Sequence, residues 1–283
     1  MTVTSCEGAP VLHFEKWDSL GNDYLVIERT PSQNAISAAE VRAMCARSGG
    51  IGADGVLEVM REDGLVVGSI RIVNPDGSDA ELSGNGTRQA ILYMVRHGWT
   101  GDKTFDVLSP SGRLSAVILD SRTSRVALGR ARVLDVSLRF LELSAVHIVI
   151  GNPQTALRIP TVEALDRVDL ANLGSVVENS SQFPNRTNVS VWTPVSPNLI
   201  QARIWERGVG LTSASGTGAC GAAIAHYLES GQRHVNVLMA GGTLLVEIDE
   251  FGPSVFDVTL TGTASPIFEG SWARRDRSCP LMS

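Results

Sequence analysis

Two copies of a serine–glycine motif carry the residues best suited to chemistry in this sequence. The motifs are Ser-Gly-Asn-Gly at residues 83–86 and Ser-Gly-Thr-Gly at residues 215–218. Each opens an apolar segment with helical character, so backbone N–H groups without helical partners are expected there. Glycine permits close approach of a ligand, and the helix dipole favours an anion. Each motif therefore predicts a carboxylate site, although its serine could instead simply cap the helix.

A polar corner precedes each motif. Asn74 begins the sequence Asn-Pro-Asp-Gly-Ser, and Glu206 and Arg207 follow an apolar stretch at the equivalent place. The planar fork of Arg207 could hold a second carboxylate of a ligand. Glu206 could act as a base, or it could be an ion-pair partner, because ion pairs are common structural features.

An internal repeat relates these features. Ser83 and Ser215 lie 132 residues apart, and the Gly-Asn pairs that begin at residues 21 and 151 lie 130 apart. Such a repeat predicts two similar domains related by a pseudo-twofold axis, with both motifs facing one cleft. The predicted domains are residues 1–128 with 266–283, and residues 129–265. The predicted linker lies near residues 125–133.

The predicted fold class is α+β, with each domain a mixed β-sheet wrapped around a central helix. Two segments, about 86–97 and 218–229, are apolar nearly all round, as expected for enclosed helices. A third, amphipathic helix is predicted at 38–46. Runs rich in β-branched residues predict strands between glycine-rich turns. These runs are residues 24–27, 69–73, 116–119, 147–150, 188–192, 244–248 and 255–260.

Composition narrows the function. The 283 residues are 43% hydrophobic and carry a formal net charge of −6, which disfavours a nucleic-acid partner. The sequence predicts neither a membrane span nor a secretory signal. The four cysteines are scattered, which suits a reducing cytoplasm. The sequence predicts no cofactor and no metal. It leaves open whether the chain forms a homodimer.

The ordered motifs resemble those of the diaminopimelate epimerase family of cofactor-independent amino-acid epimerases. The motifs are residues 20–24 (LGNDY), 50–55 (GIGADG), 74–78 (NPDGS), 83–86 (SGNG), 151–153 (GNP), 188–189 (NV), 206–208 (ERG) and 215–220 (SGTGAC). The resemblance implies two pseudo-symmetric domains with an active site between them. It also implies a pair of catalytic cysteines, at positions that here are Ser83 and Ser215, and a histidine at the position of Gln154.

The resemblance and the motifs together give a set of candidate residues. The predicted catalytic residues are Ser83, Ser215 and Glu206. The predicted ligands of a small carboxylate substrate are Asn22, Asn74, Gly84, Asn85, Asn152, Gln154, Asn188, Arg207, Gly216 and Thr217.

Three functions remain open at this level. The first is a proton shift on an already activated, unsaturated amino-acid-like acid. A serine hydroxyl is a far weaker acid than a thiol and does not readily become a base, so the substrate must have a C–H bond that a weaker base can deprotonate. The phenazine-biosynthesis isomerases look like the same fold used for this reaction without the cysteine pair. Isomerases of this superfamily also occur in 4-alkylproline antibiotic pathways, which suggests antibiotic biosynthesis as the setting. The second is epimerisation of the diaminopimelate type, by a natural serine variant or an inactivated form. The third is a carboxylate-binding protein without catalysis.

Overall fold

The computed structural model describes residues 11–274. The strands of this part are β1 (Val11–Ser19), β2 (Asn22–Glu28), β3 (Gly55–Arg61), β4 (Gly68–Val73), β5 (Thr104–Ser109), β6 (Gly112–Ile118), β7 (Thr123–Phe140), β8 (Leu143–Ile150), β9 (Asn152–Arg158), β10 (Asn188–Ser196), β11 (Leu199–Glu206), β12 (Gly210–Thr212), β13 (His234–Met239), β14 (Gly242–Gly252), β15 (Val255–Thr263) and β16 (Ser265–Ala273). The helices are α1 (Ala38–Cys45), α2 (Gly84–Arg96), α3 (Val162–Arg167), α4 (Leu170–Glu178) and α5 (Gly216–Ser230).

Strand pairing repeats between the two halves of the chain. Strands β2 and β3 pair in parallel, as do β9 and β10, and the parallel pair β4–β5 corresponds to β11–β13. A parallel pair needs a crossover connection. Helix α1 supplies it for β2–β3, and α3 with α4 supplies it for β9–β10. Helix α2 lies in the crossover between β4 and β5, and α5 lies in the crossover between β11 and β13. The predicted α+β fold with two repeated halves is confirmed.

Strand β7 joins the halves without a loop. It pairs with β6 and β8, its neighbours in sequence, and also with β15 over residues 123–132. The predicted linker at 125–133 is therefore part of a strand that both halves share, and the proposed division after residue 128 falls inside it. Strand β16 returns to the first half and pairs antiparallel with β1. Residues 275–283, assigned with β16 to the first domain, lie outside the described residues.

The two central helices begin earlier than the apolar pattern predicts. The hydroxyls of Ser83 and Ser215 accept hydrogen bonds from the backbone N–H groups of Gly86 and Gly218, at 3.0 Å and 3.3 Å. These caps start α2 at Gly84 and α5 at Gly216, two residues before the expected starts. Each helix is buried along its first eleven residues. One hydrophobic core runs through both halves and includes residues of both helices.

No helix within residues 11–274 is long and apolar enough to cross a membrane. Two of the four cysteines, Cys45 and Cys220, lie in this part; both are buried free thiols.

Candidate active site

The N-termini of α2 and α5 meet at the pseudo-twofold axis. A methyl group built on Gly216 would lie 2.8 Å from the Cα atom of Gly84. Only glycine permits so close an approach of two backbones at these positions. The side chain of Asn85 also ties the halves together, because its Nδ2 donates to the carbonyl of Ala214 at 3.1 Å. Both predicted motifs therefore belong to one site.

A cleft of about 140 Å³ lies over this junction. Eleven of the thirteen predicted site residues line it: Asn74, Ser83, Gly84, Asn85, Asn152, Asn188, Glu206, Arg207, Ser215, Gly216 and Thr217. The remaining lining residues are Tyr24, Asp79, Ala80, Glu81, Leu82 and Val209. None of these additional residues was named as a candidate in the sequence analysis, although Tyr24 is the last residue of the motif at 20–24.

Helical N–H groups in the cleft are suited to binding an anion. The residues Gly84, Asn85, Gly216 and Thr217 stand in the first turns of their helices, where backbone N–H groups have no helical acceptor. The side chain of Asn85 is already engaged, since its Oδ1 accepts from Arg88 at 2.8 Å. Asn85 can therefore meet a ligand through its backbone. Two helix dipoles converging on one point favour a carboxylate.

The structure places Gln154 behind the cleft. Its side chain is fully buried, and its Nε2 donates to Asn152 Oδ1 at 2.7 Å and to Thr217 Oγ1 at 3.0 Å. Because its oxygen is occupied in this way, Asn152 keeps its amide N–H groups as donors for a ligand. Gln154 thus orients two lining residues instead of lining the cleft itself.

A second compartment of about 170 Å³ adjoins the cleft and shares Tyr24, Asn74, Glu206 and Val209 with it. Asn22 lines this compartment, where its Nδ2 donates to Asp54 at 3.0 Å. The second compartment also contains Arg47, which is paired with Asp54. The thirteen predicted residues are thus distributed over two compartments and one buried support.

Glu206 and Ser215 both line the cleft, and the Ser215 hydroxyl is one of the groups that influence the pKa of the Glu206 carboxyl. Burial raises the pKa of the Glu206 carboxyl above its usual range, and the negative charge of Asp54 acts in the same direction. The Ser215 hydroxyl opposes this shift. The result is a carboxylate with a raised proton affinity, as a general base requires.

Tyr24 and Ser83 occupy the other side. The Tyr24 hydroxyl donates to Ser83 Oγ across 3.4 Å. The motifs did not identify Tyr24 as a candidate, but the repeat contains a signal for it. Residues 22–24 (Asn-Asp-Tyr) correspond to residues 152–154 (Asn-Pro-Gln), so Tyr24 stands where Gln154 stands in the other half.

Arg207 closes the rim between the halves. Its guanidinium lies 3.6 Å from the carboxylate of Glu81, and it donates to the carbonyl of Asn185 at 3.0 Å. Its backbone N–H donates to Asn188 Oδ1 at 2.8 Å. The Asn188 side chain is thereby fixed at the edge of the cleft. Arg207 can exchange Glu81 for a ligand carboxylate, since the pair is partly exposed.

Within residues 11–274, no group of three or more histidine, cysteine, aspartate or glutamate side chains is placed to hold a metal ion.

The family model described as "Diaminopimelate epimerase" matches residues 14–134 and 146–266. Among curated relatives, the diaminopimelate epimerase of Synechococcus sp. strain JA-2-3B'a(2-13) is 32% identical over 285 residues, covering 93% of this chain and 99% of the relative.

Solved structures with the same fold are more distant in sequence. A phenazine biosynthesis protein of the PhzF family from Bacillus anthracis superposes with a TM-score of 0.72 at 13% identity, covering 93% of this chain and 99% of that one. A hydroxyproline epimerase from Agrobacterium vitis gives the same TM-score and identity, with 94% of each chain covered.

Proposed function

Because the chain belongs to the diaminopimelate epimerase family and is an enzyme of the epimerase and isomerase class, we propose that it moves a proton on a small, unsaturated, amino-acid-like carboxylate without a cofactor. The observation that carries this proposal is the position of Glu206, which lines one cleft together with Ser215 and the N-termini of α2 and α5 and has a raised pKa. The helix ends hold and polarise the acid, and Glu206 removes the proton.

Glu206 is the carboxylate best placed to act as the base. Three carboxylates line the cleft among the described residues. The side chains of Asp79 and Glu81 are 66% and 58% exposed and pair with Arg71 and Arg207. Glu206 is partly buried, is in no ion pair within the described residues, and has a raised pKa.

The two serines favour a substrate with an acidic C–H bond. A cysteine thiol has a reference pKa of about 8.5 and becomes a useful base when a helix N-terminus lowers it. A serine hydroxyl needs a neighbour that takes its proton before it can act in this way. At Ser215 that neighbour is Glu206 itself. A C–H bond flanked by two double bonds is acidic enough for a carboxylate base.

The 4-alkylidene-1-pyrroline-2-carboxylates have such a bond and are the substrate class we propose, in 4-alkylproline antibiotic biosynthesis. Glu206 takes a proton from ring carbon 3, and the freed electron pair forms the C3=C4 bond. The pair of the former exocyclic double bond takes up a proton at the exocyclic carbon. The product is a ring-conjugated isomer of unchanged composition.

Incubation of the enzyme with 4-propylidene-1-pyrroline-2-carboxylate in D2O tests this proposal. We expect the ring-conjugated isomer with deuterium at the exocyclic carbon, seen by NMR and mass spectrometry at a rate well above that of the enzyme-free sample. Recovery of the unchanged isomer at the enzyme-free rate would contradict the proposal.

The pH dependence of that reaction provides a separate check. A base works in its ionised form, so kcat/KM should fall as the pH is lowered through the pKa of Glu206. Since burial raises this pKa above the usual range of a glutamate, the loss should begin at a higher pH than for an exposed glutamate. A kcat/KM that stays constant down to pH 4.5 would argue against Glu206.

Epimerisation of a dicarboxylic amino acid is the second candidate function. Arg207 and the neighbouring amide side chains at the rim favour it, because they could hold a distal carboxylate. Loss of the α-proton of diaminopimelate to solvent at an enzymatic rate would support it. If only the Ser83→Cys, Ser215→Cys double variant showed strong exchange, the present chain would be an inactivated form of such an enzyme.

A further inference from the structure

We propose that Tyr24 is the second proton-handling residue of the site: it supplies, through Ser83, the proton that returns to the substrate. This inference rests on the proposed function, in which Glu206 removes the first proton. Tyr24 is thus a positioning residue and a proton source, and Ser83 is the group that touches the substrate.

The hydrogen bonds of Ser83 give its hydroxyl a direction. Its Oγ accepts from the Gly86 N–H at 3.0 Å and from the Tyr24 hydroxyl at 3.4 Å. With both lone pairs engaged, the Ser83 hydrogen is left to donate, and Ser83 lines the cleft. The Tyr24–Ser83 distance is long for an O–H···O bond, as catalytic hydrogen bonds often are before a substrate closes the site.

The Tyr24 ring is held in place by close packing. A methyl group built on Gly55 would lie 2.6 Å from Cε1 of this ring, so the ring packs directly against the glycine. The side chain is 6% exposed, and yet Tyr24 lines both compartments of the site. This arrangement fixes the hydroxyl at the point where the compartments join.

Burial and nearby negative charges keep the Tyr24 hydroxyl protonated before Glu206 takes up the substrate proton. Burial raises the pKa of its phenol, and the negative charges of Glu206 and Asp54 raise it further. Once Glu206 has taken the substrate proton, one of these charges is gone. Phenolate formation at Tyr24 is therefore easier at the stage when the proton must be returned.

Although the two halves are pseudo-symmetric, the two sides of the cleft carry chemically different residues. Ser215 lines the cleft together with the carboxylate Glu206, and the counterpart of Tyr24 is Gln154, whose amide cannot supply a proton. Because Ser83 and Ser215 cap opposing helices, removal and return of the proton take place from opposite sides.

The step balances in protons and electrons. Glu206 first takes a proton from C3, and the freed electron pair is delocalised over the two flanking double bonds. In a second step the exocyclic carbon takes the Ser83 hydroxyl proton, and Ser83 takes the proton of Tyr24. The enzyme is left with a neutral Glu206 and a Tyr24 phenolate. Transfer of one proton from Glu206 to Tyr24 through solvent restores the starting state.

The test uses 4-propylidene-1-pyrroline-2-carboxylate deuterated at C3, with two readouts: loss of deuterium to water and formation of the ring-conjugated isomer. In Tyr24→Phe, we expect isomer formation to fall about 10²–10⁴-fold, with deuterium loss from C3 within a few fold of the unmodified enzyme. Tyr93→Phe is the matched control, because Tyr93 is as buried as Tyr24 and its hydroxyl donates to Glu28, away from the cleft. It should leave both rates unchanged.

A second variant separates proton supply from simple support of Ser83. With 2,3,5-trifluorotyrosine at position 24, the more acidic phenol should ionise within the working pH range, and isomer formation should then fall as the pH rises. A profile no different from that of the tyrosine enzyme would overturn the proposal, as would full isomer formation by Tyr24→Phe. If the unmodified enzyme neither exchanges C3 deuterium nor forms the isomer, the proposed function itself fails. If exchange is intact and Tyr24→Phe isomerises normally, only the inference about Tyr24 fails.

Discussion

Replacement of Glu206 by glutamine should lower turnover of the pyrroline substrate on the order of 10³-fold. Glutamine has the same shape, but it cannot accept a proton from carbon. Steady-state formation of the isomer and deuterium loss from C3 should fall together, because both depend on the first proton transfer. This pattern distinguishes Glu206 from Tyr24, whose replacement should spare the exchange.

The matched control is Glu81→Gln, since Glu81 lines the same cleft and is mostly exposed. We expect its effect to be confined to KM, because it releases Arg207 from an ion pair. If Glu81→Gln abolished exchange and Glu206→Gln did not, the base would have to be reassigned to Glu81.

Folding stability provides a second control on Glu206→Gln. The folded-state pKa of Glu206 is raised, so its contribution to stability is fully present below the unfolded-state pKa and is lost as the pH rises through the folded-state value. At neutral pH the unmodified protein therefore carries the cost of a buried charge. The variant should have an equal or higher melting temperature at pH 7, and a markedly lower one would mean that lost activity reflects unfolding.

Gly216→Ala should destabilise the protein by about 2–3 kcal/mol through steric conflict. The added methyl group would lie 2.8 Å from the Cα atom of Gly84 and 2.9 Å from Leu260 Cδ2, and neither helix start can withdraw without opening the cleft. Within a helix, alanine is intrinsically more favourable than glycine, so any loss of stability must come from this contact. Urea unfolding curves measure the effect directly.

Gly101→Ala is the control for that substitution. Gly101 has no heavy atom within 4 Å of an added methyl group, and its backbone is outside the left-handed region. Its free energy of unfolding should change by no more than about 0.5 kcal/mol. A Gly216→Ala protein as stable as the unmodified one would show that the two helix ends are not in rigid contact.

The local sequence determined a large part of the site. Serine caps and glycines specify helix starts through backbone hydrogen bonds and sterics, which are local properties. The near-constant offset between the two motifs then placed these starts symmetrically, because duplicated segments fold alike. Glu206 could be singled out because it follows an apolar strand end in this repeat. The family motifs supplied the asparagines and Arg207.

The tertiary structure alone decided how those residues divide the work. Tyr24 and Ser83 are 59 positions apart, and their contact depends on β2 packing beside α2. Gln154 is buried, and positions two lining residues, because α5 packs against β9. The predicted linker is part of a strand because β7 pairs with β15. Such contacts depend on the pairing of distant segments. Periodicity does not encode this pairing because it describes near neighbours in the chain, and the repeat offset shows which segments are alike without showing which segments touch.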